Sequence, residues 1–142
     1  MRSWHLAWLA VIISVSSTSL DAILTSTHGP GGTGIPCGYG TSGCYCYAIF
    51  LRDGGYTGTL PSALGDCTGL GMLAFEGNSL TGSIPSSFSS LTGLAYLNLN
   101  ANQLTGPIDT LNYMTTLYYL DLESNLFTGE VAIPALTSLQ HL

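Results

Sequence analysis

The sequence predicts a repeat solenoid of the α/β class, with a short parallel sheet on its concave face and irregular or 3-10 backbone on its convex side. Three observations predict it. Apolar residues recur in register from Cys46 to the last residue. Within each unit two of them stand two positions apart, which is the strand period. Each complete unit also carries a Thr-Gly pair, which interrupts any helical pattern.

In chain order the first element is a leader. Residues 1–5 hold one arginine, Leu6–Val15 form an apolar run, and small residues follow from Ser16 to Ala22. Residues 1–22 therefore read as a secretory signal peptide cut near Ala22. The apolar run is shorter than the ~20 residues that span a bilayer. No later segment is apolar enough to do so, and no membrane insertion is expected after cleavage. The next stretch, 23–36 (ILTSTHGPGGTGIP), is rich in Gly, Pro and Thr, has no period and reads as a linker.

Composition narrows the function. A hydrophobic content of 46% is that of a folded domain. Charged residues make up only 7%, so Ser, Thr, Asn and Gly must supply the polar surface. Net charge is −6, and Arg2 and Arg52 are the only fixed cations. Such a chain cannot neutralise a run of phosphates, which excludes nucleic acid as a partner.

The repeats occupy residues 46–142. Leu70, Leu94, Leu117 and Leu139 correspond at intervals of 24, 23 and 22 residues, and Leu73, Leu97, Leu120 and Leu142 follow three later. Phe75, Leu99 and Leu122 come two after those, then Asn78, Asn102 and Asn125. Leu80, Leu104 and Phe127 precede the Thr-Gly pairs, and Ile84, Ile108 or Val131 closes each unit. A degenerate copy precedes them at Cys46, Ile49, Leu51, Gly54, Tyr56, Thr57-Gly58 and Leu60-Pro61. About four units result, the last incomplete.

Spacing dictates the unit's geometry. Leu97 and Leu99 point to one face of a strand, and stacked units bury them in a shared core that no single unit could close. Asn102 ends the strand, where its amide can satisfy backbone groups left unpaired by the turn. The glycine after each Thr suits a tight bend. Ile84, Phe88 and Leu91 cover the far side of the core.

The pattern L-x-x-L-x-x-L-x-L-x-x-N-x-L-T-G-x-I-P resembles the plant-type leucine-rich repeat, and LTGLAYLNLNANQLTGPI (Leu91 to Ile108) follows it almost throughout. The resemblance covers residues 37–142 and implies a right-handed solenoid. Residues 37–45 are similar to the family's C-x-W-x-G-V-x-C amino-terminal cap. Tyr39 stands at the Trp position, and Thr41 and Ser42 replace Gly-Val. An even count of four cysteines fits a secreted chain. Repeat spacing places Cys67 near both Cys44 and Cys46; the cap resemblance implies Cys37–Cys44 and Cys46–Cys67. Spacings among the four lack the usual zinc knuckle, and no metal is expected.

Residues between the core leucines are expected to face outward in columns. One column reads Ala48, Met72, Tyr96, Tyr119; the next Phe50, Ala74, Asn98, Asp121; a third Arg52, Glu76, Asn100, Glu123; the last Asp53, Gly77, Ala101, Ser124. The ligand-binding candidates are Phe50, Arg52, Met72, Glu76, Tyr96, Asn98, Tyr119, Asp121 and Glu123, an aromatic stripe beside an acidic one. Tyrosine offers a rigid ring with a hydroxyl, a favoured anchor at interfaces. No catalytic constellation is expected. His28 lies in the linker and His141 at the chain end, and the Asp121/Glu123 pair on an open sheet has no walls to raise a carboxyl pKa. No cofactor is implied.

What the resemblance implies is extracellular recognition of a protein, peptide or glycan on the concave face. Receptor-kinase ectodomains, receptor-like proteins and secreted inhibitors of cell-wall-degrading enzymes work in this way. A scaffold role in an extracellular matrix or cell wall is the alternative. Leu136–Leu142 opens a new unit and stops on its second core leucine, so the array is expected to continue downstream or to self-associate through an open end.

Overall fold

The computed structural model describes residues 47–130 and 139 in full, and 39–40 and 43–44 by their backbone. The expected leader and linker, and the last segment apart from Leu139, lie outside the described residues. Within the expected cap, β1 (Tyr39–Gly40) pairs antiparallel with β2 (Gly43–Cys44).

Each following coil has three parts: an inner strand, an outer strand and a 3-10 turn. The inner strands are β3 (Ala48–Phe50), β5 (Met72–Ala74), β7 (Tyr96–Asn98) and β9 (Tyr119–Asp121). They form one parallel sheet in that order, with Ile49, Leu73, Leu97 and Leu120 in register and pointing into the core. Apolar residues just outside the strands complete the layer: Leu70, Leu94 and Leu117 before, Phe75 and Leu99 after, all fully buried.

The convex side holds more order than expected. Beside the expected 3-10 turns it carries a second parallel sheet of β4 (Thr57–Thr59), β6 (Ser79–Gly82), β8 (Gln103–Pro107) and β10 (Leu126–Thr128). In Ser79-Leu80-Thr81 the leucine is buried and the threonine exposed, an alternation a strand provides. Glycines read as bends are part of these strands or abut them. Gly82 (φ 78) is the last residue of β6, and a Cβ on it would meet the Thr59 methyl at 3.0 Å. Only a glycine fits both the left-handed backbone and the close neighbour.

Three 3-10 turns then return the chain: η1 (Ser62–Asp66), η2 (Ser86–Ser90) and η3 (Asp109–Tyr113). Pro61 (φ −68) and Pro85 (φ −61) enter the first two with the torsion proline imposes. Three residues per turn give each a single inward anchor: Leu64, Phe88 or Leu111. Cys67, Leu91 and Met114 follow at matching positions, all fully buried. Cys67 is disulfide-bonded, to a cysteine whose side chain lies outside the described residues. At the carboxyl-terminal end Leu122, Phe127 and Leu139 are partly buried against the same core.

Candidate functional site

The inner sheet aligns the expected columns. Ala48, Met72, Tyr96 and Tyr119 are strand partners in sequence, as are Phe50, Ala74, Asn98 and Asp121. Tyr96 and Tyr119 stack with ring centroids 4.3 Å apart and 10° between planes. Tyr118 meets Tyr96 edge-on at 6.4 Å and 61°. The Tyr119 hydroxyl donates to Asp121 Oδ2 at 3.5 Å. Partial burial raises the Tyr119 pKa above the ordinary 10.0, and the neighbouring Tyr96 and Asp121 raise it further.

Carboxylates differ in their surroundings. Glu76 Oε1 pairs with Arg52 Nε at 2.8 Å while Oε2 is buried without a hydrogen bond, and the Arg52 guanidinium lies 5.1 Å from the Phe50 ring centroid. The Arg52, Glu76 and Phe50 candidates thus form one local cluster at the amino-terminal end of the face. Asp121 Oδ1 accepts from the Glu123 N–H at 3.1 Å and from Asn100 Nδ2 at 3.2 Å. Glu123 is exposed at the opposite end from Arg52. Met72 is half-buried between its strand neighbours.

Asn98 corrects the expectation that its column faces solvent. It is 7% exposed, and its Oδ1 accepts the Asn100 N–H at 3.0 Å. Asp121, its partner in the next strand, makes the same contact with the Glu123 N–H and stays half-exposed.

The asparagine ladder does more than close its own turn. Asn102 Nδ2 donates to the carbonyls of Leu99 (3.0 Å) and Asn100 (3.2 Å) and also to Phe75 of the preceding coil (2.9 Å). Its Oδ1 accepts the Leu80 N–H of that coil at 3.0 Å. Asn125 repeats the arrangement with Leu122, Glu123, Leu99 and Leu104. Asn78 does so with Phe75, Glu76 and Leu51, and accepts from both Tyr56 and Gly54.

Two aromatic residues outside the expected columns join the face. Tyr47 (67% exposed) and Tyr118 (40%) flank Gly71 and Ala95 at the strand entries. The N–H groups of Tyr118 and Tyr119 both donate to the Ala95 carbonyl, and those of Ala95 and Tyr96 to that of Gly71. Consecutive donors aimed at one acceptor show that the chain is not yet pleated there. Alternation therefore does not govern Tyr118, and period-2 reasoning could not find it. A Cβ on Gly71 would overlap the Tyr47 ring, so that ring lies over Gly71.

Among the described residues no three or more His, Cys, Asp or Glu are grouped to hold a metal, and no helix is long and apolar enough to cross a membrane.

The fold defines a two-sheet solenoid with an open inner sheet and one continuous core. Residues 70–91 match the family model of the leucine-rich repeat. The leucine-rich-repeat ectodomain of the receptor kinase SOBIR1 from Arabidopsis thaliana is similar at 29% identity with a TM-score of 0.63, over 66% of this chain and 52% of that one. The plant peptide hormone receptor RGFR1, solved in complex with RGF2, is similar at 39% identity with a TM-score of 0.59, over 61% and 14%. A plant ice-binding protein is similar at 34% identity with a TM-score of 0.57, over 61% and 29%. No curated protein sequence matches the chain. Residues 70–91 thus carry a leucine-rich repeat, and the chain shares the solenoid fold of these proteins; it spans about half the length of the SOBIR1 ectodomain and less of the other two.

Proposed function

We propose that the chain is an extracellular recognition module that binds a peptide or protein ligand on the inner sheet, as part of a receptor-like protein. One observation carries this reading: the half-exposed Tyr96–Tyr119 stack, set beside Asp121 on a rigid sheet. Stacked phenols offer apolar area with little entropy left to lose, and a partner that covers them displaces water from both rings. RGFR1 with its peptide RGF2 lends the reading support by similarity. The test is a screen of the secreted chain against a library of extracellular proteins and peptides. A partner retained by the wild type and lost by the Tyr96→Ala, Tyr119→Ala double variant, with an unchanged melt, is the expected result. Partners that bind both forms equally refute it.

A second reading rests on the opposite face. The strands β4, β6, β8 and β10 carry no charged residue, and Thr59, Thr81, Thr105 and Thr128 are exposed along them. Such a hydroxylated, uncharged surface, together with the similarity to an ice-binding protein, fits contact with ordered water. Inhibition of ice recrystallisation by the chain, abolished by Thr81→Lys, supports it; no inhibition removes it.

A further inference from the structure

We infer that the carboxyl-terminal end of the inner sheet takes a lysine or arginine of an extended peptide, its stem over the Tyr119 ring and its cationic head between Asp121 and Glu123. The inference rests on the proposed recognition role and specifies the chemistry of its ligand. Charge complementarity selects the occupant. The chain holds eight carboxylates against two arginines, and Arg52 is the only cationic side chain among the described residues. It is held by Glu76 and Phe50 at the other end of the face, three strand spacings or ~14 Å away. Among the described residues no cationic side chain stands at the β9 end.

Geometry adds a second argument. Asp121 is already oriented: Oδ1 receives the Glu123 N–H and the Asn100 amide, while Oδ2 has only the long bond from the Tyr119 hydroxyl. That leaves an acceptor at the surface, and the exposed Glu123 stands two residues on along the same strand exit. The stack gives the stem of a long basic side chain an apolar bed, and a cation near a ring face is attracted by its π-system. A neutral sugar could use the rings but would leave the two carboxylates uncompensated, so the observations favour the basic peptide.

The experiment selects binders to the secreted chain from a random decapeptide library displayed on phage, in parallel with the Asp121→Asn, Glu123→Gln double variant. Both substitutions keep the side-chain shape, and Asn keeps an acceptor for the Glu123 N–H. The expected result is a peptide family with Lys or Arg at one fixed position. Its affinity should fall roughly tenfold or more in the double variant and weaken at high salt, as for a charge-assisted hydrogen bond. A matched peptide with norleucine at that position should lose as much and be indifferent to the double variant. Peptides selected without a fixed basic position, or bound equally by both proteins, overturn the inference and leave the recognition role standing. No selected peptide at all, with neutral oligosaccharides retained instead, overturns both the basic-peptide inference and the peptide reading.

Discussion

Asn102 makes three donated and one accepted hydrogen bond, and the residue is 8% exposed. Replacing it with Ala takes the side-chain acceptor from the buried Leu80 N–H and one of the donors from each of three carbonyls, and a loss of about 1–3 kcal/mol is expected from urea melts. Asn100→Ala removes one half-exposed bond to Asp121 and should cost less than about 1 kcal/mol; equal losses would refute the ladder's role. Tyr119 gives a pH prediction. Its folded pKa is raised, so the folded chain holds this proton more tightly than the unfolded chain does. Its contribution to stability is complete below the unfolded value of ~10 and disappears as pH climbs through the folded value. In an ultraviolet titration Tyr119→Phe should delete a phenol step that lies above the ordinary tyrosine value. The sequence showed that Asn102 would serve its own turn. It did not show the link to Phe75 and Leu80, because spacing within a unit carries no information about which groups the next coil brings alongside. The burial of Asn98 was not legible for a related reason: alternation gives a side chain's direction and says nothing of what neighbouring coils lay beside it.

At the scale of the element, the turns and strand exits set the tolerances. Gly65 in η1 is buried, and a Cβ there would lie 2.5 Å from the Ser87 carbonyl oxygen of η2. Gly65→Ala should force the two turns apart and cost about 1–3 kcal/mol in a thermal melt; an unchanged melt would show that the coils can slide. Strand exits tell the opposite story. Asp53, Gly77, Ala101 and Ser124 occupy the same position in successive coils, and all have positive φ (49, 69, 53 and 55). Only Gly77 is at ease there, so Ala101→Gly should relieve left-handed strain of ~1 kcal/mol, partly offset by the greater freedom of glycine in the unfolded chain. A melt unchanged or slightly higher is expected, and a clear loss would contradict it. The inner strands were legible because their leucines recur two apart. Those of the outer sheet were not: β4, β6 and β10 have three or four residues with at most one inward anchor, too few to show a period, and the adjoining Gly suggested a bend.

Across the whole molecule the two sheets keep different registers. Inner strands pair at the repeat spacing, as Met72 with Tyr96, whereas the outer sheet pairs Thr59 with Thr81 and Thr81 with Gln103, two residues short of it. Neighbouring coils are thus offset by ~6.6 Å along the outer strands. This difference explains why the inner columns could be read from the sequence while contacts on the other face could not. Export makes a prediction at the same scale. In a eukaryotic secretory host the medium should contain a chain beginning near Ala22, and its non-reduced peptide map should link Cys46 to Cys67 and Cys37 to Cys44. A Cys44–Cys67 peptide would overturn that pairing, and an intact leader would overturn export. The tyrosine stack has an optical consequence for this processed form. Both tryptophans, Trp4 and Trp8, precede Ala22, so a chain cut near that residue would emit from its phenols alone. With two of those rings stacked 4.3 Å apart on the inner sheet, the processed chain would carry its own unlabelled reporter, and a ligand settling on Tyr119 should change its tyrosine fluorescence.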